Sequence, residues 1–95
     1  MILERVELTA KEGQEEAFAA ALSDGRAVGL LTGEGGGVSA KLGRGVEHPG
    51  KFILLIEWHS VDDHKAFTGS PAHLEFGKLI GPFVSGGVME HFDLG

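Results

Sequence analysis

The chain has 95 residues, the length of one domain (residues 1–95), and a domain this small gains stability from association. It contains no cysteine, which excludes disulfide frameworks, thiolate metal sites and a cysteine nucleophile. Its formal net charge is −6 without a basic cluster, so nucleic acid and anionic membranes are poor partners; with neither a signal-peptide pattern nor a membrane-length apolar run, the expected location is cytoplasmic.

The first half of the chain predicts a strand, a helix and a second strand. Apolar and polar residues alternate over 2–9, which places Ile2, Glu4, Val6 and Leu8 on one face. A single helix is predicted from Gln14 to about Gly29, because strong helix formers follow an acidic first turn. Gly25 and Gly29 weaken this helix, which predicts either close packing on the sheet or an early end. Residues 38–47 alternate again and predict the second strand.

A glycine-rich segment, residues 33–37, separates the helix from the second strand. Phosphate-binding loops lie between a strand and the start of a helix, whereas these glycines follow a helix and precede a strand. The segment is therefore predicted to be a flexible connection and not a phosphate site.

The second half of the chain predicts a strand, two short helices and a last strand. After a turn at 48–51, the strand at 52–59 opens with five apolar residues in succession, which a strand with one wet face would not have. Ser60 and Ser70 are predicted to cap two helices, the second of which begins with proline and ends near residue 80. Gly86 and Gly87 are predicted to turn the chain into the last strand, residues 88–93.

This element order, β-α-β-β-α-β, predicts an α+β fold of the ferredoxin-like type, with a four-stranded antiparallel sheet and helices on one face. The helices can cover Leu54 and Ile56, but Ile53 and Leu55 point to the opposite face. A bare apolar sheet face needs a partner, and the simplest partner is a second copy of the chain. A homodimer that packs sheet against sheet is therefore predicted.

Three segments, LLIEWHS, VDDHKAFTGSPAHLEFGKLIGPF and VMEHFD, resemble the antibiotic biosynthesis monooxygenase (ABM) domain, and the resemblance covers nearly the whole chain. It implies a dimeric α+β barrel with a pocket between the sheet and the helices of each subunit. Members of the family include cofactor-independent monooxygenases of quinols and polyketide anthrones, haem-degrading enzymes and domains without an assigned reaction. The haem-degrading branch has Asn, Trp and His where this chain has Glu4, Phe67 and Gly77, so haem degradation is not expected.

The polyketide-oxidising branch resembles this chain at the tryptophan that ends the third strand, Trp58. Leu54, His64 and Lys78 stand where that branch has Asn, Tyr and Arg. The resemblance implies that His64 moves a proton in place of a phenol and that Lys78 stabilises an anion in place of a guanidinium.

Oxygenation without a metal or a flavin requires an electron-rich phenol or hydroquinone that reduces O2 once it has lost a proton. The pocket must supply a base with a pKa near neutrality, a donor to the oxyanion and flat apolar walls. A histidine has the required pKa, so His64 and Trp58 are the predicted catalytic residues. The predicted substrate-binding residues, which form the wall and mouth of the pocket, are Leu54, Phe67, His73, Phe76, Lys78 and Phe83.

These residues also have purely structural interpretations. Trp58 can be core packing whose indole N–H finds a local acceptor, His64 can pair with a neighbouring aspartate, and Lys78 can lie on a solvated helix face. His91, in the middle of a strand, needs no function. The five histidines of the chain lack metal-ligand spacing, so neither a metal site nor a cofactor is predicted.

The function predicted from the sequence is that of a cofactor-independent monooxygenase that oxidises a quinol-like or polycyclic phenolic substrate with O2. The alternative is a non-catalytic dimeric module of the same fold that binds a small hydrophobic or aromatic molecule. A third interpretation is a structural dimer whose pocket is filled by core side chains. The fold alone does not decide among the three.

Overall fold

The structure, a computed structural model, describes all 95 residues. Its strands are β1 (Ile2–Ala10), β2 (Ser39–Arg44), β3 (Lys51–Trp58) and β4 (Val84–Asp93). Its helices are α1 (Glu15–Ser23), α2 (Gly25–Leu31), α3 (Val61–Phe67) and α4 (Pro71–Ile80), and a 3-10 turn follows at Gly81–Phe83. The strands form one antiparallel sheet in the order β2-β3-β1-β4, so the predicted ferredoxin-like α+β fold is confirmed. No helix combines the length and the apolar character that crossing a membrane requires.

The hydrophobic core lies between the helices and one face of the sheet, which we call the inner face. Burial alternates along β3, where Phe52, Leu54, Ile56 and Trp58 are at most 3% exposed while Ile53 and Leu55 are half-buried on the outer face. The helices contribute Phe18, Leu30 and Leu31 to this core, each at most 2% exposed. The long apolar run of β3 therefore has one set of side chains in the core and another set on the half-buried outer face.

Serine caps fix the starts of α3 and α4, as predicted. The Ser60 hydroxyl accepts a hydrogen bond from the Asp63 N–H at 3.2 Å, and the Ser70 hydroxyl accepts one from the His73 N–H at 3.2 Å. Each cap satisfies a backbone N–H that the helix itself leaves unpaired. Because α3 starts at Val61, His64 and Phe67 lie one turn apart on the same helix face, which is the buried one.

The prediction of a single helix from Gln14 to Gly29 is wrong. The backbone turns to an extended conformation at Asp24 (ψ 126°), whose carboxylate accepts a hydrogen bond from the Arg26 N–H at 3.0 Å and starts α2. The predicted early end is therefore found at Ser23. A Cβ atom at Gly25 or Gly29 would meet nothing within 4 Å, so the predicted close packing at these glycines is not found.

The predicted turn at Gly86 and Gly87 is also wrong, because β4 already begins at Val84 and runs through both glycines. Gly87 lies opposite Leu8 of β1, and a Cβ atom on Gly87 would come within 2.6 Å of the Leu8 Cδ2 atom. Glycine is thus needed there for close approach within a strand. The segment 33–37 is likewise a packed loop and not a loose connection, since a Cβ atom on Gly35 would lie 2.7 Å from the Phe67 ring.

The outer face of the sheet carries no helix and is less uniformly apolar than predicted. Leu3 is half-buried on this face, but Arg5 and Glu7 of the same strand interrupt the apolar surface. On the neighbouring β4, Val88 is 64% exposed and Phe92 is 42% exposed.

Candidate functional site

At the end of β3, the indole N–H of Trp58 donates a hydrogen bond to a buried glutamate, Glu4. Trp58 is 0% exposed, and its Nε1–H donates a hydrogen bond to Oε1 of Glu4 at 3.0 Å. Glu4 lies in β1 opposite Ile56 and is 6% exposed. A carboxylate in an apolar interior needs hydrogen-bond donors to offset the loss of water, and Trp58 supplies one of them.

The His64 ring lies close to the same carboxylate oxygen. Its ring stacks on Trp58 with centroids 5.1 Å apart and an angle of 23° between the planes, and its Nε2 atom lies 3.3 Å from Oε1 of Glu4. His64 is 8% exposed. Burial lowers the pKa of its imidazole below the ordinary value; Glu4 acts in the opposite direction, and His91 and His73 lower the pKa further. The neutral form of His64 is therefore favoured near neutral pH.

His91 extends this arrangement toward the surface. It lies opposite Glu4 in the pairing of β1 with β4, and its Nε2 atom is 2.7 Å from Nδ1 of His64. The two rings are 4.9 Å apart and meet at 62°. His91 is half-buried, so the contacts run from a buried carboxylate to a partly open imidazole. We call Glu4, Trp58, His64 and His91 the Trp58 network.

The hydrogen-bond partners assign a proton to one nitrogen of each ring. Oε1 of Glu4 already accepts the N–H of Trp58 and lies 3.3 Å from Nε2 of His64, so we assign the proton of neutral His64 to Nε2. Its Nδ1 is then an acceptor, and Nε2 of His91 must carry a proton to satisfy it. This leaves Nδ1 of a neutral His91 without a proton. The end of the network nearest the surface is therefore a base.

Two further aromatic rings extend the Trp58 network on the helix side. The Phe67 ring lies 5.5 Å from Trp58 and 6.5 Å from His64. The His73 ring lies 5.1 Å from Phe67, and its Nδ1 atom accepts a hydrogen bond from the Gly69 N–H at 2.8 Å. The structure therefore brings together Trp58, His64 and Phe67 and places His73 beside them.

The other predicted substrate-binding residues lie elsewhere. Leu54 (2% exposed) and Phe76 (7% exposed) are part of the hydrophobic core. The Phe83 carbonyl accepts a hydrogen bond from the Lys11 N–H, just beyond the end of β1 that is remote from Glu4. The Lys78 side chain is 76% exposed and pairs with Glu75 at 3.3 Å. Lys78 thus occupies a solvated helix face, and the structure does not bring it to the Trp58 network.

Sequence reasoning missed two members of the network, Glu4 and His91. Glu4 had a usable signal, because it is the only charged residue on the otherwise apolar face formed with Ile2, Val6 and Leu8. His91 had none, because its importance comes from the pairing of β1 with β4. No three His, Asp or Glu side chains of the chain form a group that could hold a metal ion.

Comparisons with known proteins agree with this fold. The sequence model of the family described as "Antibiotic biosynthesis monooxygenase" matches residues 1–79. An uncharacterized protein of Bacillus subtilis, YczJ, is 32% identical over 94 residues, which cover 97% of each chain. A crystal structure from Bordetella bronchiseptica, of a candidate antibiotic biosynthesis monooxygenase, is 26% identical with a TM-score of 0.85 over 97% of this chain and 94% of that one. One from Caulobacter crescentus CB15, of a candidate of the same kind, is 23% identical with a TM-score of 0.80 over 99% and 89% of the two chains, and this second structure supports the fold alone.

Proposed function

Because the chain belongs to the antibiotic biosynthesis monooxygenase family, we propose that it is a cofactor-independent monooxygenase that oxidises a quinol-like or polycyclic phenolic substrate with O2. The observation that carries this proposal is the continuous set of contacts from Glu4 through His64 to His91. It supplies what the reaction needs from a protein, a base that works near neutral pH and a place to hold the proton afterwards.

The substrate hydroxyl gives its proton to Nδ1 of His91. The positive charge is then shared with His64, because Nε2–H of His91 donates to Nδ1 of His64 across 2.7 Å. The carboxylate of Glu4, 3.3 Å from His64, stabilises that charge in a site from which water is largely excluded. His91 is thus the proton acceptor, and Glu4 and His64 position and support it.

The oxygen chemistry follows from the substrate anion. The anion transfers one electron to O2, and the resulting superoxide and aryloxyl radical combine to form a carbon–oxygen bond. The imidazolium returns its proton to the peroxide, the O–O bond breaks, and water leaves with the hydrogen of the attacked carbon. The product has one oxygen more and two hydrogens fewer than the substrate, and the second oxygen atom leaves as water.

The proposed position of the substrate is the inner face of β4. Trp58 has no exposed surface and His64 keeps only 8%, so a substrate reaches the Trp58 network at His91. Met89, two residues before His91 on the same face, is 49% exposed and offers a flexible apolar contact for a planar ring. Phe67 and Trp58 pack against the His64 ring on its buried side and fix its orientation.

Oxygen consumption with a reduced naphthoquinone such as menadiol tests the proposal. His91→Gln keeps an N–H donor toward His64 but cannot accept a proton, so we expect the protein-dependent rate to fall about 10²- to 10⁴-fold. His64→Ala is expected to reduce the rate to the spontaneous level. His59→Gln is the matched control, because His59 is an exposed histidine next to Trp58, and its rate should equal that of the wild type. A wild-type rate in His91→Gln would exclude His91 as the proton acceptor.

The alternative function is a non-catalytic module that binds a small hydrophobic or aromatic molecule. The complete burial of Trp58 favours a non-catalytic protein, because His64 and Phe67 already cover the ring and make it a packing residue that does not contact a substrate. No protein-dependent oxygen consumption with any quinol or anthrone, together with thermal stabilisation by planar aromatic compounds, would support this alternative and contradict catalysis.

We also propose that two chains pack through the outer faces of their sheets. Val88 and Phe92 are exposed there, beside the half-buried Leu3, and pairing would remove this apolar surface from water. Sedimentation of the wild type at micromolar concentration is expected to give a dimer, and Phe92→Glu a monomer. Leu74→Glu introduces the same change at a residue that is 59% exposed on α4, and it should remain dimeric. A folded wild-type monomer would refute this packing.

A further inference from the structure

A second candidate site lies at the opposite end of β3 from Trp58. A cleft of about 450 Å³ is bounded by α1, α2, β2 and β3. Its apolar lining residues are Ala19, Leu22, Val28, Leu42 and Phe52. Phe52 and Trp58 are six residues apart on one strand, a separation of roughly 20 Å. The cleft is therefore separate from the Trp58 network, and an inference about it does not depend on the proposed oxygenase activity.

Arg44 is the one charged residue that lines this cleft, and the fold holds its guanidinium in place. The Nε–H donates a hydrogen bond to the Pro49 carbonyl at 2.7 Å, and the guanidinium lies 5.4 Å from the centre of the Phe52 ring. One terminal nitrogen donates to Oε1 of Glu16 at 2.8 Å. The remaining N–H groups of the guanidinium have no partner in the chain. Arg44 is thus a cation held in a fixed position, and it has further N–H groups that can bind a ligand.

The carboxylate that now pairs with Arg44 is loosely held. The Glu16 side chain is 86% exposed, and exposed ion pairs of this kind contribute little to stability. The hydrogen bond from Arg44 lowers the pKa of the Glu16 carboxyl, so Glu16 is ionised at neutral pH. Glu16 therefore pairs with Arg44 in the way that the carboxylate of a ligand would. A ligand that makes the same ion pair and also fills the cleft can displace Glu16.

We propose that this cleft binds a small monocarboxylate with an apolar body. The carboxylate takes the place of Glu16 on Arg44, where the planar guanidinium fork fits two carboxylate oxygens. The apolar body lies against the half-buried side chains of Ala19, Val28 and Leu42, which line the cleft. The volume and the single cation match a ligand of this kind, because small-molecule sites are mostly apolar with few polar groups that orient the ligand.

Calorimetric titration at pH 7.5 with decanoate and with 1-naphthoate tests the proposal for an aliphatic and an aromatic body. We expect saturable binding, with one molecule per chain, of at least one acid. The neutral alcohols of matching shape, decanol and 1-naphthalenemethanol, should bind at least about tenfold more weakly, because they lack the charge-assisted hydrogen bonds. Equal affinities of acid and alcohol, or no binding of either acid at millimolar concentration, would overturn the proposal.

Three variants and one control variant locate the site. Arg44→Met should weaken binding of the acid about tenfold or more, whereas Arg26→Met, which removes the same charge from the exposed pair with Glu34, should not change it. Glu16→Gln should strengthen binding, because the competing carboxylate is gone. Ala19→Phe fills the cleft, keeps the charge of Arg44 and should abolish binding. Unchanged affinity in both Arg44→Met and Ala19→Phe would place the ligand elsewhere and refute the proposal.

Discussion

The inward-facing residues at the two ends of β3 differ in their charged neighbours. The neighbour is buried at the Trp58 end and exposed at the Phe52 end. At the Trp58 end, the carboxylate of Glu4 is buried, accepts a hydrogen bond from the indole N–H of Trp58 and lies 3.3 Å from Nε2 of His64. At the Phe52 end, the charges of Arg44 and Glu16 meet at the surface. A buried charge fixes the geometry around it, because any lost partner leaves it unsatisfied. An exposed charge can exchange partners, so one end is suited to hold a proton relay and the other to bind a ligand.

Removal of the Trp58 side chain should have the largest effect on stability. Trp58→Ala opens a cavity in the core and takes a donor away from Glu4, so we expect the free energy of unfolding to fall by about 3–5 kcal/mol. Urea unfolding of the two proteins measures this difference. A loss below about 1 kcal/mol would mean that the Trp58 end is not packed as described.

Trp58→Phe separates the hydrogen bond from the packing. The variant keeps an aromatic ring against His64 and Phe67 but leaves Glu4 with one donor fewer, so we expect a loss of about 1–3 kcal/mol. Trp58→Phe combined with Glu4→Gln should recover part of this loss, because an amide is easier to bury with one partner than a carboxylate. If the double variant is as unstable as the sum of the two single variants, the two residues do not interact.

The contrast between the two ends also explains what could be predicted from the sequence. Local signals were sufficient for the serine caps, which place His64 and Phe67 on one helix face, and for the alternation that points Trp58 inward. An early end of the first helix was one of the two predicted outcomes, but the second helix that Asp24 caps was missed, because aspartate is tolerated inside a helix and also caps one. The start of β4 was missed because Gly86 and Gly87 are typical turn residues, and only contact with Leu8 shows why a strand needs glycine at residue 87. His91 could not be assigned a role, since its contact with His64 depends on strand order and register.

Lower pH should weaken the Trp58 end. Because burial lowers the pKa of His64, the unfolded chain binds a proton at this residue more readily than the folded chain. An unfolded histidine titrates near pH 6.5, so the stability that neutral His64 contributes is complete above about this pH and is lost as the pH falls through the lowered pKa. We expect the free energy of unfolding to decrease from pH 7 to pH 5, and to decrease less in His64→Gln. The same pH dependence in both proteins would show that His64 does not cause it.

Glu16→Gln should have the smallest effect. It removes one partner of an exposed ion pair, so the unfolding temperature of the ligand-free protein should hardly change. Differential scanning calorimetry of the wild type and this variant, without any added acid, measures the difference. A destabilisation as large as that of Trp58→Phe would mean that the Phe52 end depends on a fixed charge in the same way as the Trp58 end.

The protonation of the two histidines in the Trp58 network is the most direct test of the account. Nitrogen-15 NMR of the imidazoles at pH 7.5 distinguishes which ring nitrogen carries the proton. We expect His64 to be neutral with its proton on Nε2, and His91 to carry a proton on Nε2, so that Nδ1 of His91 can accept a proton from a substrate. A proton on Nδ1 of His64, or a positively charged His64 at this pH, would contradict this expectation.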